Sequence, residues 1–112
     1  MKNTAQWLQE VIQVLEIEDK FGKGQKLATA LGVGQMTIMN QLKGKSEMQN
    51  DQATKVARAL GVLPMTVISS VNYNECMKKN EKENAKIWKS IYERSLEEKK
   101  QNEKTELKYG TS

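Results

Sequence analysis

Residues 24–44 read GQKLATALGVGQMTIMNQLKG, and the punctuation of this stretch decides the fold. Leu27, Ala28 and Leu31 recur at the spacing of one helix face, which predicts a short helix over 24–31. Gly32 follows where a left-handed C-cap is expected, and Val33 and Gly34 complete a turn. QMTIMNQLK predicts a second short helix over 35–43, with Ile38 and Leu42 four apart on its inner side and Gly44 as its stop. Ala28 is small where two helices cross closely, and Val33 fills their corner. A pair joined at about 90–120° through a three- or four-residue turn leaves the start of the second helix standing clear of the body.

On either side of this segment the chain stays helical. Over 4–18, Leu8, Val11, Ile12 and Leu15 form a stripe widened by Trp7 and Val14, with Thr4 as the expected N-cap. DKFGKG then reads as a loop. Asn50 or Asp51 is expected to cap DQATKVARAL, whose Ala53, Val56, Ala57 and Leu60 face inward until Gly61. Pro64 suits the first position of a fifth helix, with Val67, Ile68 and Val71 on its core side. Residues 74–84 read as a hinge or frayed helix. Ala85, Trp88, Ile91, Tyr92, Ser95 and Leu96 then describe another amphipathic stripe, and the chain beyond Glu97 reads as a polar, partly disordered tail. No segment alternates with period two for long enough to suggest a strand, so the expected fold class is all-α.

At 112 residues the chain accommodates one compact domain with an extension. With no histidine, it lacks the usual general base and the commonest metal ligand. No paired-carboxylate signature or glycine-rich phosphate loop replaces them, so an enzyme is not expected, nor any cofactor or small-molecule ligand. A single cysteine, Cys76, allows no internal disulfide. No run approaches the roughly 20 apolar residues of a membrane span, and the expectation is a soluble, cytoplasmic, nucleoid-associated protein. The net charge of +4 is unevenly spread: residues 20–60 carry seven basic and two acidic groups, whereas residues 1–19 carry one and four. Basic charge concentrated in one segment is the footprint of a polyanion partner.

LATALGVGQMTIMNQLKGK resembles the helix-turn-helix of the phage Cro/cI-like repressors and the wider Xre-type regulators. The match rests on Leu27, Ala28, Leu31, Gly32, Val33, Ile38, Leu42 and Gly44. DQATKVARALGV and LPMTV resemble the fourth and fifth helices of the same domain, so the likeness covers roughly residues 5–72. AKIWKSIYER is more loosely similar to tails of phage-associated regulators of unknown role. The chain departs from the family pattern at Gly24, where glutamine is frequent, at Gly34, where serine is frequent, and at Gln41, where an apolar residue is frequent. The resemblance implies a five-helix lambda-repressor-like DNA-binding domain over 1–73, a C-terminal amphipathic helix over 74–96 and a tail over 97–112.

Carried onto this chain, the resemblance implies double-stranded DNA as partner, with Gln35, Met36, Met39 and Asn40 as base readers. Gln35 or Asn40 would pair with the adenine edge, and Met36 and Met39 would touch thymine methyls. Lys23, Lys26, Thr37, Lys43 and Lys45 would contact phosphates. Trp88, Ile91, Tyr92 and Leu96 either pack back on their own domain or pair two subunits of a homodimer, a pairing favoured because one short recognition helix reads few bases. The expected function is a transcriptional regulator, a phage or prophage repressor on an inverted repeat. The alternative is an antitoxin-like or antirepressor adaptor that holds a protein with the same fold.

Overall fold

The computed structural model describes residues 1–18 and 24–109, with side chains to Glu98. Every element among these residues is helical. α1 spans Thr4–Val14, α2 Gln25–Leu31, α3 Gln35–Leu42, α4 Asn50–Leu60, α5 Pro64–Lys78 and α6 Lys82–Tyr109. No helix among them is long and apolar enough to cross a membrane.

The core forms where the apolar faces of α1 to α5 converge. Leu8, Val11, Leu27, Ile38, Val56, Ala57 and Val67 are each at most 1% exposed, and half-buried Val33 and Leu42 close around them. Burying each of these Leu, Ile and Val side chains contributes about 1.5–3 kcal/mol against the entropy of ordering it.

Several helix ends differ from those the sequence pattern predicts. α1 is capped by Asn3, whose Oδ1 accepts from Gln6 N at 2.9 Å while Gln6 Oε1 accepts from Asn3 N at 2.8 Å. This reciprocal capping box leaves Thr4 buried inside the first turn. α1 stops at Val14, and Glu16 turns the chain with φ +52°. Helix α2 begins at Gln25, with Gly24 as its left-handed N-cap. At α4 the N-cap position is Gln49, without a side-chain bond to the helix; Asp51 Oδ1 instead accepts from Gln52 N at 2.9 Å.

The predicted break over 74–84 shrinks to Lys79–Glu81. Cys76 is buried and Asn74 Nδ2 donates to Lys2 O at 3.0 Å, which keeps that turn of α5 in place. Asn80 then adopts φ +59° and Glu81 N bonds back to Cys76 O at 2.8 Å, closing the helix. Asparagine tolerates the left-handed region better than most residues. From there α6 runs back along α5: Thr66 Oγ1, near the start of α5, donates to Ser95 Oγ at 2.8 Å. The two helices therefore form an antiparallel hairpin. Where the composition predicts a partly disordered tail from residue 97, the backbone is helical to Tyr109. The run of Glu and Lys beyond Glu97 contains neither proline nor an interior glycine to stop the helix.

Candidate nucleic-acid interface

The geometry of α2 and α3 is set by two glycines. Gly32 caps α2 at φ +65°, and Val33 N bonds back to Ala28 O at 3.0 Å, so the chain turns out of α2 within three residues. Gly24, also at φ +65°, brings the start of α2 against the inner side of α3. A Cβ there would lie 2.7 Å from Ile38 Cγ2. The absent side chain is what allows α2 and α3 to approach this closely.

That packing fixes which side of α3 faces outward. Ile38 is fully buried and Gln41 is 2% exposed, while Gln35, Met36 and Thr37 are exposed. Met39 and Asn40 are half-buried at the flank of the same helix. Four base-reading candidates thus lie on one helix, two standing free and two at its edge. Among the described residues Met36, at 68%, is the most exposed of the large apolar side chains. Gly34 gives α3 no side-chain cap, so its first-turn amides are left to solvent or a ligand.

The flanking charge is more one-sided than the sequence count. Lys26, Lys43, Lys45, Lys55 and Arg58 are exposed, and none joins an ion pair among the described residues. The ion pairs that do form, Lys2–Glu10, Lys78–Glu47, Lys79–Glu75 and Lys86–Glu83, all draw their cation from outside residues 24–60. One of the two acids in that segment, Glu47, is turned away: its side chain is 10% exposed and it accepts from Lys78 Nζ at 2.7 Å. Glu47 Oε2 also accepts from Thr4 Oγ1 and from Thr4 N. Lys23 lies outside the described residues.

Two features of the site were invisible to the amphipathic pattern. Thr4, Glu47 and Lys78 tie three distant segments beneath the loop that carries Lys43 and Lys45, and Met48 N completes the tie by donating to Thr4 Oγ1 at 3.2 Å. Gln41 and Gln52 form a buried reciprocal pair between α3 and α4, each Nε2 donating to the other's Oε1 at 2.8 and 2.7 Å. The departure at Gln41 was the available signal, since a glutamine at a predicted core position needs a polar partner.

The C-terminal stripe is only partly covered within the described chain. Ala85 and Ser95 are buried on the α5 side, Trp88, Ile91 and Tyr92 are half-buried, and Leu96 is 38% exposed. Searches against protein-family models, curated proteins and solved structures find no match to this chain.

Proposed function

We propose that this chain is a sequence-specific double-stranded DNA-binding regulator, a repressor-type protein of phage or prophage kind that occupies an inverted repeat as a dimer. In this reading residues 1–73 act as a lambda-repressor-like domain, with α2 and α3 as its helix-turn-helix. The single observation that carries it is the exposed face of α3, polar and methionine-bearing, bordered by lysines that have no partner ion within the described protein. Lysines without an internal partner are suited to neutralising phosphates, which releases the counterions held there.

In the complex α3 enters the major groove. Gln35 and Asn40 read adenine through paired hydrogen bonds, worth about 1–3 kcal/mol of discrimination each, and Met36 and Met39 meet thymine methyls. Lys23, Lys26, Lys43, Lys45 and Thr37 hold the backbone without reading it. Each lysine on a phosphate lowers log K by about 0.9 per log unit of salt, so the four lysines predict a slope near −3.6 per protomer. Two protomers place their recognition helices about 34 Å apart, one turn of DNA. The test is a labelled-duplex titration at two salt concentrations, after binding-site selection with the full chain. Gln35→Ala and Asn40→Ala should each lose preference for the selected site while keeping the salt slope. Equal affinity for every duplex, unchanged in both variants, refutes direct readout.

A second reading is favoured by Met36: a flexible, polarisable side chain left 68% exposed suits an adaptable protein contact. An adaptor of antitoxin-like or antirepressor type would hold one protein at this face. Recovery of a single stoichiometric protein partner, with no DNA, would select it.

A further inference from the structure

The helix proposed to read DNA is short and has few apolar anchors. α3 has eight residues, and its close backbone neighbours are α2 and α1 rather than α4. Its apolar anchors are Ile38, fully buried, and Leu42, half-buried. The close approach of Ile38 to Gly24 fixes which face of α3 turns inward, but apolar contacts are non-directional, so two side chains a turn apart leave the finer rotation about the helix axis undefined. Across the gap to α4 reach Gln41 and Gln52, 2% and 5% exposed, whose amides bond each other twice at 2.8 and 2.7 Å. A doubly bonded amide pair holds its two amide groups in one relative placement, because both distances and both angles must be met together, and burial restricts how far the side chains behind them can adjust. An apolar pair of the same volume would fill the space without that requirement. Polar pairs buried among apolar residues are known to fix register in other helical assemblies at some cost in stability.

We propose that the Gln41–Gln52 pair sets the rotation of α3 on the domain and is thereby a positioning element for base discrimination, an inference that rests on the DNA-binding reading. The leverage is large. At a radius of roughly 6 Å from the helix axis, a rotation of about 10° moves a side-chain atom by about 1 Å. That exceeds the width of the hydrogen-bond distance window. Asn40 neighbours Gln41 directly, and Gln35 lies on the same rigid rod. Phosphate contacts by long lysines tolerate such a shift, whereas a bidentate amide-to-adenine contact does not. Loss of the pair should therefore reduce discrimination and spare non-specific affinity.

The experiment compares the wild-type chain, Gln41→Leu and the double variant Gln41→Leu, Gln52→Leu. Each is titrated with the duplex recovered by selection on wild type and with a scrambled duplex of the same composition. Melting temperature and 15N relaxation dispersion of the α3 amides are measured on the same samples. The single variant strands one buried amide and should lose stability. The double variant should recover the melting temperature, bind the scrambled duplex with unchanged affinity and salt slope, and prefer the selected duplex at least 10-fold less than wild type does. Its α3 amides should show exchange broadening absent from wild type. If the double variant instead regains both stability and full preference with sharp α3 signals, the pair is mere core filling and the proposal is overturned. A wild-type chain that prefers no duplex, alongside broadened α3 amides in the double variant, would overturn the base-reading function and leave the mooring role standing. Should the leucine pair not fold, Gln41→Met with Gln52→Met, closer in length and flexibility, carries the same comparison.

Discussion

Replacing Gly24 with alanine isolates the contact that holds α2 against α3. Gly24 and Gly32 share φ +65°, so alanine at either position meets the same left-handed penalty of about 1–2 kcal/mol. The surroundings differ. At Gly32 the nearest atom to a new Cβ is Lys55 Nζ at 3.3 Å, the end of a flexible exposed chain. At Gly24 the nearest atoms are Ile38 Cγ2 at 2.7 Å and Ile38 Cβ at 3.7 Å, in a side chain that is fully buried. Forcing that contact apart adds an overpacking cost of about 1–3 kcal/mol. Gly32→Ala should thus lose about 1–2 kcal/mol and Gly24→Ala about 2–5 kcal/mol. Urea unfolding followed by circular dichroism resolves the difference, and the slope of free energy on denaturant should match in both variants. Near the melting point each kcal/mol corresponds to roughly 4 °C for a chain of this size. Equal losses at the two positions, within about 0.5 kcal/mol, would refute the close approach of α2 to α3 and the outward set of α3 derived from it.

Gly34→Ser should stabilise the chain by about 0.5–1 kcal/mol, because φ −70° suits any residue, the new Cβ meets Thr37 Oγ1 at 3.7 Å and α3 gains a capping hydroxyl; thermal melting checks it. Thr4→Val removes a donor to Glu47 and the acceptor of Met48 N from a buried position. A loss of about 1–3 kcal/mol in urea titration is expected, and a loss too small to measure would show that the tie beneath the α3–α4 loop is dispensable. Burial, then Glu81 and Glu75, push the Cys76 thiol above its ordinary value. Because the raised value favours the neutral thiol in the folded state, the linked stability falls as pH climbs through and above the ordinary thiol range. Iodoacetamide should accordingly label Cys76 slowly near neutral pH and faster only in strongly alkaline buffer, as mass spectrometry will show; labelling at the rate of free cysteine contradicts this.

The outline of the helices was legible in the sequence because their apolar residues repeat locally. Leu27, Ala28, Leu31 and Ile38 were placed in the core by spacing alone, and Pro64 marked the first position of its helix. Helix ends were less legible, since capping is a competition among neighbours: Asn3 wins over Thr4 because Gln6 answers it, a choice between adjacent hydroxyl and amide that spacing does not rank. The exposed face of α3 followed from its buried face. What supports that face did not follow, because Gln41 and Gln52 are eleven residues apart and Thr4 and Glu47 forty-three. Polar pairings at that separation carry no periodicity. Glu47 entered the charge count as one more surface acid and is instead consumed inside the protein, which makes the basic segment more basic than its composition.

Because Ser95 already faces the opening turn of α5, the backbone of α6 past Glu98 runs on for eleven residues to Tyr109, a reach of about 16 Å beyond its companion. α6 leans principally on α5, and α5 on α4, whereas α3 leans on α2 and α1, so the helices that carry this outrigger are not those that carry the α3 surface. A dye or cross-linker attached at Glu98 can report on assembly or tumbling while leaving the surface that would meet DNA chemically untouched.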